Sequence, residues 1–306
     1  MEINRRNFLK GVGICIGASL FWGIREELDR GLSDILTYPT PPDQEGVEDL
    51  RERISRSERD FSQYELEVEN GFNGDNLGYY GYYGDELDLE SYATSLETIR
   101  VELSKYPPTF CVDNGIRGVS LVGLLSYENG GSVETYGGLA LPPLNKIIIS
   151  AINPEEWVQR DFHHELFHLV VIDSTGDLRG LVDEKGKWGE LNDSMPCSPY
   201  INGRLKIDRR PFCGNEYRAR PYGMTNIQED LATWSELMMM PELHTILWKM
   251  IYDPKESVPD DVRLILEQKY QIMMEIYAMA SNNQMNGTYW ENLRNGQVDQ
   301  AYWFGD

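Results

Sequence analysis

Two histidines and a glutamate near the middle of the chain have the types and the spacing that metal chemistry requires. His164 and His168 stand four positions apart, so both imidazoles project from one face if the segment is helical. Two neutral imidazoles in this arrangement can bind one divalent metal ion. Glu165 follows the first histidine, and its carboxylate can hold a water molecule on the metal and accept its proton.

These residues form the His-Glu-x-x-His pattern of zinc metallopeptidases, and the composition makes a chance match improbable. The chain has four histidines, and three of them lie between positions 163 and 168. The alternative is a pair of hydrogen-bonded core histidines without a metal, because a buried imidazole needs a partner of some kind. His163 lies about 100° of helix rotation away from His164, so it flanks the ligand face and is not a ligand.

The element that must position this motif is a helix, and the sequence predicts where it begins and ends. Asn153 is a suitable N-cap and Pro154 a suitable first helical residue, and two glutamates follow in the first turn. The segment should end at Ser174-Thr175-Gly176. Its apolar residues predict that the helix is buried: Trp157, Phe162, Leu166, Leu169, Val170 and Ile172.

Helices and strands are both predicted around this motif, which indicates an α+β fold. Apolar residues at helical spacing predict a helix from Leu89 to Leu103, ended by Pro107-Pro108. Segments rich in Val, Leu and Ile then predict strands at 118–127, 134–141 and 145–151. A long irregular stretch follows the motif at 174–221, and three further helices are predicted at 227–239, 242–251 and 259–280. The C-terminal part should therefore be mostly helical.

Two histidines and a water leave a tetrahedral zinc ion one protein ligand short, and a carboxylate is the best candidate. The segment Tyr222-Gly223-Met224-Thr225-Asn226-Ile227-Gln228-Glu229-Asp230-Leu231-Ala232 resembles the third-ligand helix of gluzincins of the anthrax lethal factor type. It is equally similar to a broad group of zinc-binding metallopeptidases of bacteria and archaea. The resemblance covers roughly residues 87–240, and His163, Trp188 and Asn192 also match the latter group.

This resemblance implies a zincin-like fold with a small mixed sheet, and it implies roles for two residues. Glu229 would be the third zinc ligand, and the Tyr222 hydroxyl would reach the developing oxyanion or leaving group. The residues alone leave alternatives open: Glu229 fits a helix capping box, and Tyr222 fits an ordinary core or surface aromatic. A strand at the sheet edge would pair with an extended peptide, and 136–141 is the candidate.

The chain departs from the resembled pattern at one position. Lethal factor has a second glutamate four residues after the ligand, whereas this chain has Thr233. The residue that supports the metal ligands would then be different, with Asp230 and Glu236 as the candidates.

The net charge, the N-terminal segment and two cysteines indicate the environment in which the protein functions. A net charge of −22 argues against nucleic acid or anionic lipid as a partner, and it fits either a salt-adapted or an ordinary exported protein. Residues 1–24, with Arg5-Arg6 before an apolar run, resemble a twin-arginine export signal that is either cleaved or retained as a membrane anchor. Cys197 and Cys213 either pair after export or stay buried thiols.

These features predict an exported, monomeric zinc endopeptidase that acts on a peptide or protein substrate through a metal-activated water. The alternative is a catalytically silent surface or binding protein of the same fold. The expected organisation begins with an acidic Gly/Tyr-rich spacer at 25–85, wholly or partly disordered, in which the one helical pattern runs from Val47 to Arg56. A metallopeptidase domain at 86–280 and a polar tail at 281–306 follow.

Overall fold

The computed structural model describes residues 44–74, 81–129, 132–172, 181–182, 186–194, 227–256 and 258–304. The predicted export signal, Tyr222, both cysteines of the predicted pair and most of the irregular stretch at 174–221 lie outside the described residues. No helix within the described ranges is both long enough and apolar enough to cross a membrane.

A mixed four-stranded sheet lies at the centre of the described structure. Its strands follow the spatial order β1-β4-β8-β7, where the first three run parallel and β7 runs antiparallel to β8. Their limits are Glu67–Asn70 for β1, Gly118–Val122 for β4, Gly138–Leu141 for β7 and Lys146–Ser150 for β8. No described strand pairs with the outer side of β7, so this strand forms an edge of the sheet.

A second, antiparallel sheet covers one face of the first. It consists of β2 (Phe72–Asn73), β3 (Tyr82–Gly84), β5 (Leu125–Asn129) and β6 (Ser132–Tyr136) in that spatial order. Alternate residues of the central strands point to opposite faces, as strand geometry requires. On β8, Ile148 packs into the cluster shared with the second sheet, whereas Ile147 and Ile149 pack against the helices on the other face.

The helices cover that other face. Helix α4 contains His164, Glu165 and His168, so the predicted metal site depends on it. It runs from Glu155 to Ile172 and contacts α2, α6, β7 and β8. The helices in the described ranges are α1 Gln44–Gln63, α2 Leu89–Leu103, α3 Phe110–Asp113, α4 Glu155–Ile172, α5 Lys187–Ser194, α6 Ile227–Met239, α7 Pro241–Tyr252, α8 Asp260–Ala280, α9 Gly287–Arg294 and α10 Gln300–Phe304. The predicted α+β class is therefore confirmed, and α2, α4, α6, α7 and α8 lie close to the positions that the sequence predicts.

The spacer predicted at 25–85 is wrong for the described residues 44–74 and 81–85, although the helical pattern at 47–56 is confirmed. Residues 44–63 form α1, and Leu50 and Phe61 on this helix are buried in the core. Residues 67–70 then pair with β4 as a strand of the central sheet. Val47, Leu50, Ile54 and Phe61 recur at helical spacing on α1, but the many charged residues around them favoured the interpretation as an acidic spacer.

The predicted polar tail at 281–306 is also wrong within the described residues. Met285, Tyr289, Trp290 and Leu293 are buried in the main core, around α9. The Tyr289 hydroxyl donates a hydrogen bond to the Lys105 carbonyl at 2.9 Å. Described residues on both sides of the predicted 86–280 domain, from α1 to α9, thus pack into the same core.

Candidate metal centre

Two packed helices, α4 and α6, bring the candidate ligands together. His164 and His168 lie one turn apart on α4 and face α6. Glu229 lies in the first turn of α6, which is a buried helix along nearly its whole length. The two sequence motifs are far apart in the chain, so only the packing of these helices joins them.

The three donor atoms lie within the spacing that one small metal ion requires. His164 Nε2 is 3.1 Å from His168 Nε2 and 2.9 Å from Glu229 Oε2, and His168 Nε2 is 3.4 Å from the same oxygen. A tetrahedral ion with bonds of about 2.0–2.1 Å separates its ligands by roughly 3.3 Å. All three side chains are buried, and together they form a group that could hold a metal ion.

The polar contacts of His164 favour a positive charge between these atoms. His164 Nδ1 lies 2.8 Å from Glu236 Oε1, so Nδ1–H donates to this carboxylate. In the neutral imidazole, Nε2 then carries a lone pair that faces the Glu229 carboxylate. Burial alone would lower the pKa of His164, but its hydrogen bonds with Glu229 and Glu236 raise that pKa well above its ordinary value. Either a proton or a metal ion relieves the same repulsion.

The surroundings of Glu229 favour its ionised form once a positive charge is present. Burial opposes its ionisation, but an added proton on the neighbouring imidazoles would lower the pKa of Glu229 well below its ordinary value. The carboxylate therefore supplies an anionic donor at the point where the two imidazoles converge.

Glu165 lies beside the cluster, against the edge strand β7. Burial raises the pKa of its carboxyl group to about 8, although the Ala140 backbone N–H donates a hydrogen bond that lowers it. Glu165 Oε2 has no hydrogen-bond partner among the described residues. A Cβ atom on Gly138 would lie 2.6 Å from Glu165 Cγ, so glycine at this strand position makes the close approach possible.

The two candidates for the supporting residue have different partners. Glu236 contacts His164, and its other oxygen accepts a hydrogen bond from Arg160 Nε at 3.1 Å. Asp230 instead accepts hydrogen bonds from Trp188 Nε1 at 2.7 Å and Lys269 Nζ at 2.8 Å. Of the two alternatives that the sequence left open, only Glu236 contacts a candidate ligand in the described structure.

His163 faces away from the cluster, as its position on the helix predicts. Its Nε2 lies 2.6 Å from Glu102 and its Nδ1 lies 2.8 Å from the Tyr106 hydroxyl. Burial lowers the pKa of His163, so this imidazole is neutral despite its carboxylate neighbour. Lys105 forms an ion pair with the same Glu102 carboxylate.

Sequence reasoning missed three residues around the site, and two of them have a signal that could have found them. Arg160 stands one turn before His164 on α4. Glu102 lies in the last turn of α2, a helix that was itself predicted. Gly138 has no such signal, because only the close packing of strand and helix makes a glycine necessary there. Tyr222 lies outside the described residues, so its proposed role stays a prediction.

No protein-family model, curated protein or solved structure matches this chain. The chemistry open to the site therefore follows from its own geometry: two imidazoles and a carboxylate arranged for one metal ion, with a second carboxylate beside them.

Proposed function

We propose that the protein is a zinc-dependent endopeptidase of zincin-like fold, with zinc held by His164, His168 and Glu229. The observation that carries this proposal is the convergence of three buried donor atoms within 3.4 Å of one another. Two imidazoles with one carboxylate are a frequent ligand set of catalytic zinc, and the fourth tetrahedral position is left for water or substrate.

Zinc bound by these residues would polarise a peptide carbonyl and lower the pKa of a water molecule. Glu165 is then the general base that accepts the proton of the attacking water and passes it to the leaving nitrogen. Its location supports this role, since its carboxyl group is buried beside Glu229 and one of its oxygens has no partner within the described ranges. Tyr222 is proposed to stabilise the tetrahedral intermediate, on the resemblance alone.

The edge strand β7 supports a peptide as the substrate. The Ser150 N–H donates to the Gly137 carbonyl at 2.8 Å, so residue 137 bonds to the neighbouring strand, β8. Because pairing alternates in an antiparallel ladder, the backbone groups of Gly138 and Ala140 point to the outer side of β7. The Ala140 N–H already donates to Glu165, so an extended peptide would pair first with the backbone of Gly138, beside the Glu165 carboxyl group.

The competing proposal is a catalytically silent surface or binding protein that keeps the same fold and metal. Incubation of the purified protein with an unbiased peptide library, with and without a chelator, separates the two. We expect cleavage that a chelator abolishes and that added zinc restores. Export by the residue 1–24 signal remains part of the proposal, and the appearance of the protein outside the cytoplasm only when Arg5 and Arg6 are intact tests it.

Glu165→Gln is the variant that identifies the chemistry. It keeps the size of the side chain and removes the base, so zinc content should stay unchanged while turnover falls by roughly 10²–10⁴-fold. The matched control is Glu155→Gln, an exposed glutamate on the same helix, which should cleave like the wild type. Cleavage by Glu165→Gln at the wild-type rate would refute the proposed base.

A further inference from the structure

Glu236 lies behind the metal cluster, and its two carboxylate oxygens contact two different partners. Oε1 accepts the Nδ1–H of His164 at 2.8 Å, and Oε2 accepts the Nε–H of Arg160 at 3.1 Å. The Glu236 side chain is 0% exposed and that of Arg160 is 11% exposed. Burial of a carboxylate is costly without a cationic partner, and Arg160 is the cation that contacts Glu236.

Helix geometry places all of these groups on two facing surfaces. Arg160 and His164 are one turn apart on α4. Glu236 follows Glu229 by seven positions on α6, which is about two turns, so both carboxylates point toward α4 within roughly 20° of each other. Helix α6 thus contributes two carboxylates to His164. Glu229 lies at Nε2, the proposed metal-binding atom, and Glu236 lies at Nδ1 on the other side of the ring.

We propose that Glu236, with Arg160 as its counter-ion, is the positioning residue that prepares His164 for metal binding. This inference rests on the proposed metal site and extends it to the residues behind the ligands. A carboxylate that accepts Nδ1–H fixes the ring orientation, directs the Nε2 lone pair toward the metal and makes it a stronger donor.

The residue one turn after Glu229 does not supply this contact. That position is Thr233, whose buried hydroxyl has no hydrogen-bond partner among the described residues. Glu236 instead reaches the imidazole from the next turn of α6.

Asp230 provides a matched control on the same helix. It is also a carboxylate with a cationic partner, Lys269 at 2.8 Å, and it is adjacent to Glu229 in the chain. Its oxygen contacts Trp188 and Lys269 and not an imidazole of the cluster. Asp230→Asn therefore reproduces the loss of an ion pair from α6 without loss of the contact to His164.

The test measures metal binding, not activity, in the full-length protein. Zinc affinity is measured by competition with a chromophoric chelator, and the visible spectrum is recorded after cobalt substitution. Glu236→Gln should bind zinc roughly 10–100-fold more weakly than the wild type and should shift the cobalt absorption bands. Asp230→Asn should keep both the affinity and the spectrum, even where it lowers stability.

A second variant covers the case in which Glu236→Gln does not fold. The double substitution Arg160→Met with Glu236→Met removes both charges, which avoids an isolated buried charge, and it should show the same weakening. Wild-type affinity in either Glu236 variant, or an equal loss in Asp230→Asn, would overturn the role of Glu236 alone. A wild-type protein that binds neither zinc nor cobalt would overturn the metal site as well.

Discussion

The two faces of helix α4 hold buried histidines in opposite situations. On the back face, His163 donates from Nε2 to Glu102 and accepts at Nδ1 from Tyr106, so each ring nitrogen has the partner that a neutral imidazole needs. On the front face, His164 Nε2 lies 3.1 Å from His168 Nε2 and 2.9 Å from the Glu229 carboxylate.

This difference distinguishes a structural histidine from a candidate ligand. The back face is complete without any further group, and burial keeps its imidazole neutral by lowering the pKa of His163. The front face brings three electron-pair donors together and needs a cation or an added proton. Burial is equal on the two faces, so the balance of donors and acceptors, and not exposure, identifies the side on which chemistry is proposed.

We expect the largest loss of zinc binding on substitution of Glu229, one of the three donors on the front face. Glu229→Ala removes the anionic ligand, so zinc affinity should fall by roughly a hundredfold or more, because each ligand contributes on the order of 3 kcal/mol. His164→Ala and His168→Ala should also lose most of the expected zinc, about one ion per chain. Metal analysis of dialysed protein measures this. If Glu229 only caps α6, the variant would lose about 1 kcal/mol of stability and keep its metal.

The back face should respond in the reverse way. Glu102→Gln leaves Lys105 without its buried partner and removes the ionised acceptor of His163, so unfolding free energy should fall by about 3–5 kcal/mol with zinc content unchanged. Urea denaturation of the zinc-loaded protein measures the loss. Glu97→Gln on the same helix breaks a partly exposed pair with Arg53 and should cost about 1 kcal/mol or less. Zinc loss in Glu102→Gln would mean that the two faces are not independent.

The candidate ligands could be predicted from the sequence because their signal is local or resembles a known pattern. His164, Glu165 and His168 lie within one and a half turns of helix, where spacing alone fixes their relation. Glu229 came from resemblance, and the structure brings it to the two histidines. The choice between Asp230 and Glu236 could not be made, since it depends on how α6 is rotated against α4, which no local pattern encodes.

The fold was predictable where the segment as a whole is apolar and not where a few large side chains pack within a charged or polar segment. The strand β8, with Ile147-Ile148-Ile149, is of the first kind. Helix α1 and the C-terminal α9 are of the second kind, since Phe61 and Trp290 are buried although most of their neighbours in sequence are polar. Whether such a side chain finds a core depends on tertiary contacts.

The fourth histidine is a further test, because it is buried without a carboxylate contact among the described residues. His244 Nε2 lies 2.7 Å from the Tyr270 hydroxyl, and burial, with Arg294 nearby, lowers the pKa of His244 to about 3. The unfolded chain binds a proton below about pH 6.5, whereas the folded chain does not, so stability should fall as the pH drops from 6.5 toward 3.

His244→Gln should remove this part of the acid sensitivity. The variant is expected to be less stable than the wild type at pH 7, and the difference should shrink by about 3 kcal/mol on going to pH 4. Urea denaturation at several pH values measures both proteins, and the comparison cancels the titration of groups that they share. A difference that stays constant with pH would mean that His244 titrates normally in the folded protein.

The smallest effect, about 1–3 kcal/mol in stability, is expected at Gly138, where the front face of α4 meets the edge strand. In Gly138→Ala the new methyl group would lie 2.6 Å from Glu165 Cγ, so either β7 or the Glu165 side chain must move. Zinc binding should persist, because Gly138 contacts the proposed base and not a ligand, while peptide turnover should fall. Gly118→Ala in the same sheet meets the flexible end of Lys146 first, and should leave turnover unchanged.

A double-mutant cycle decides whether Gly138 acts through Glu165. Gly138→Ala should lower turnover in the wild-type background and have no further effect in the Glu165→Gln background, because the group that it displaces no longer serves as the base. Equal, additive losses in the two backgrounds would mean that the methyl group instead blocks peptide pairing along β7. The edge strand would then affect catalysis through substrate binding, and the position of Glu165 would not depend on this glycine.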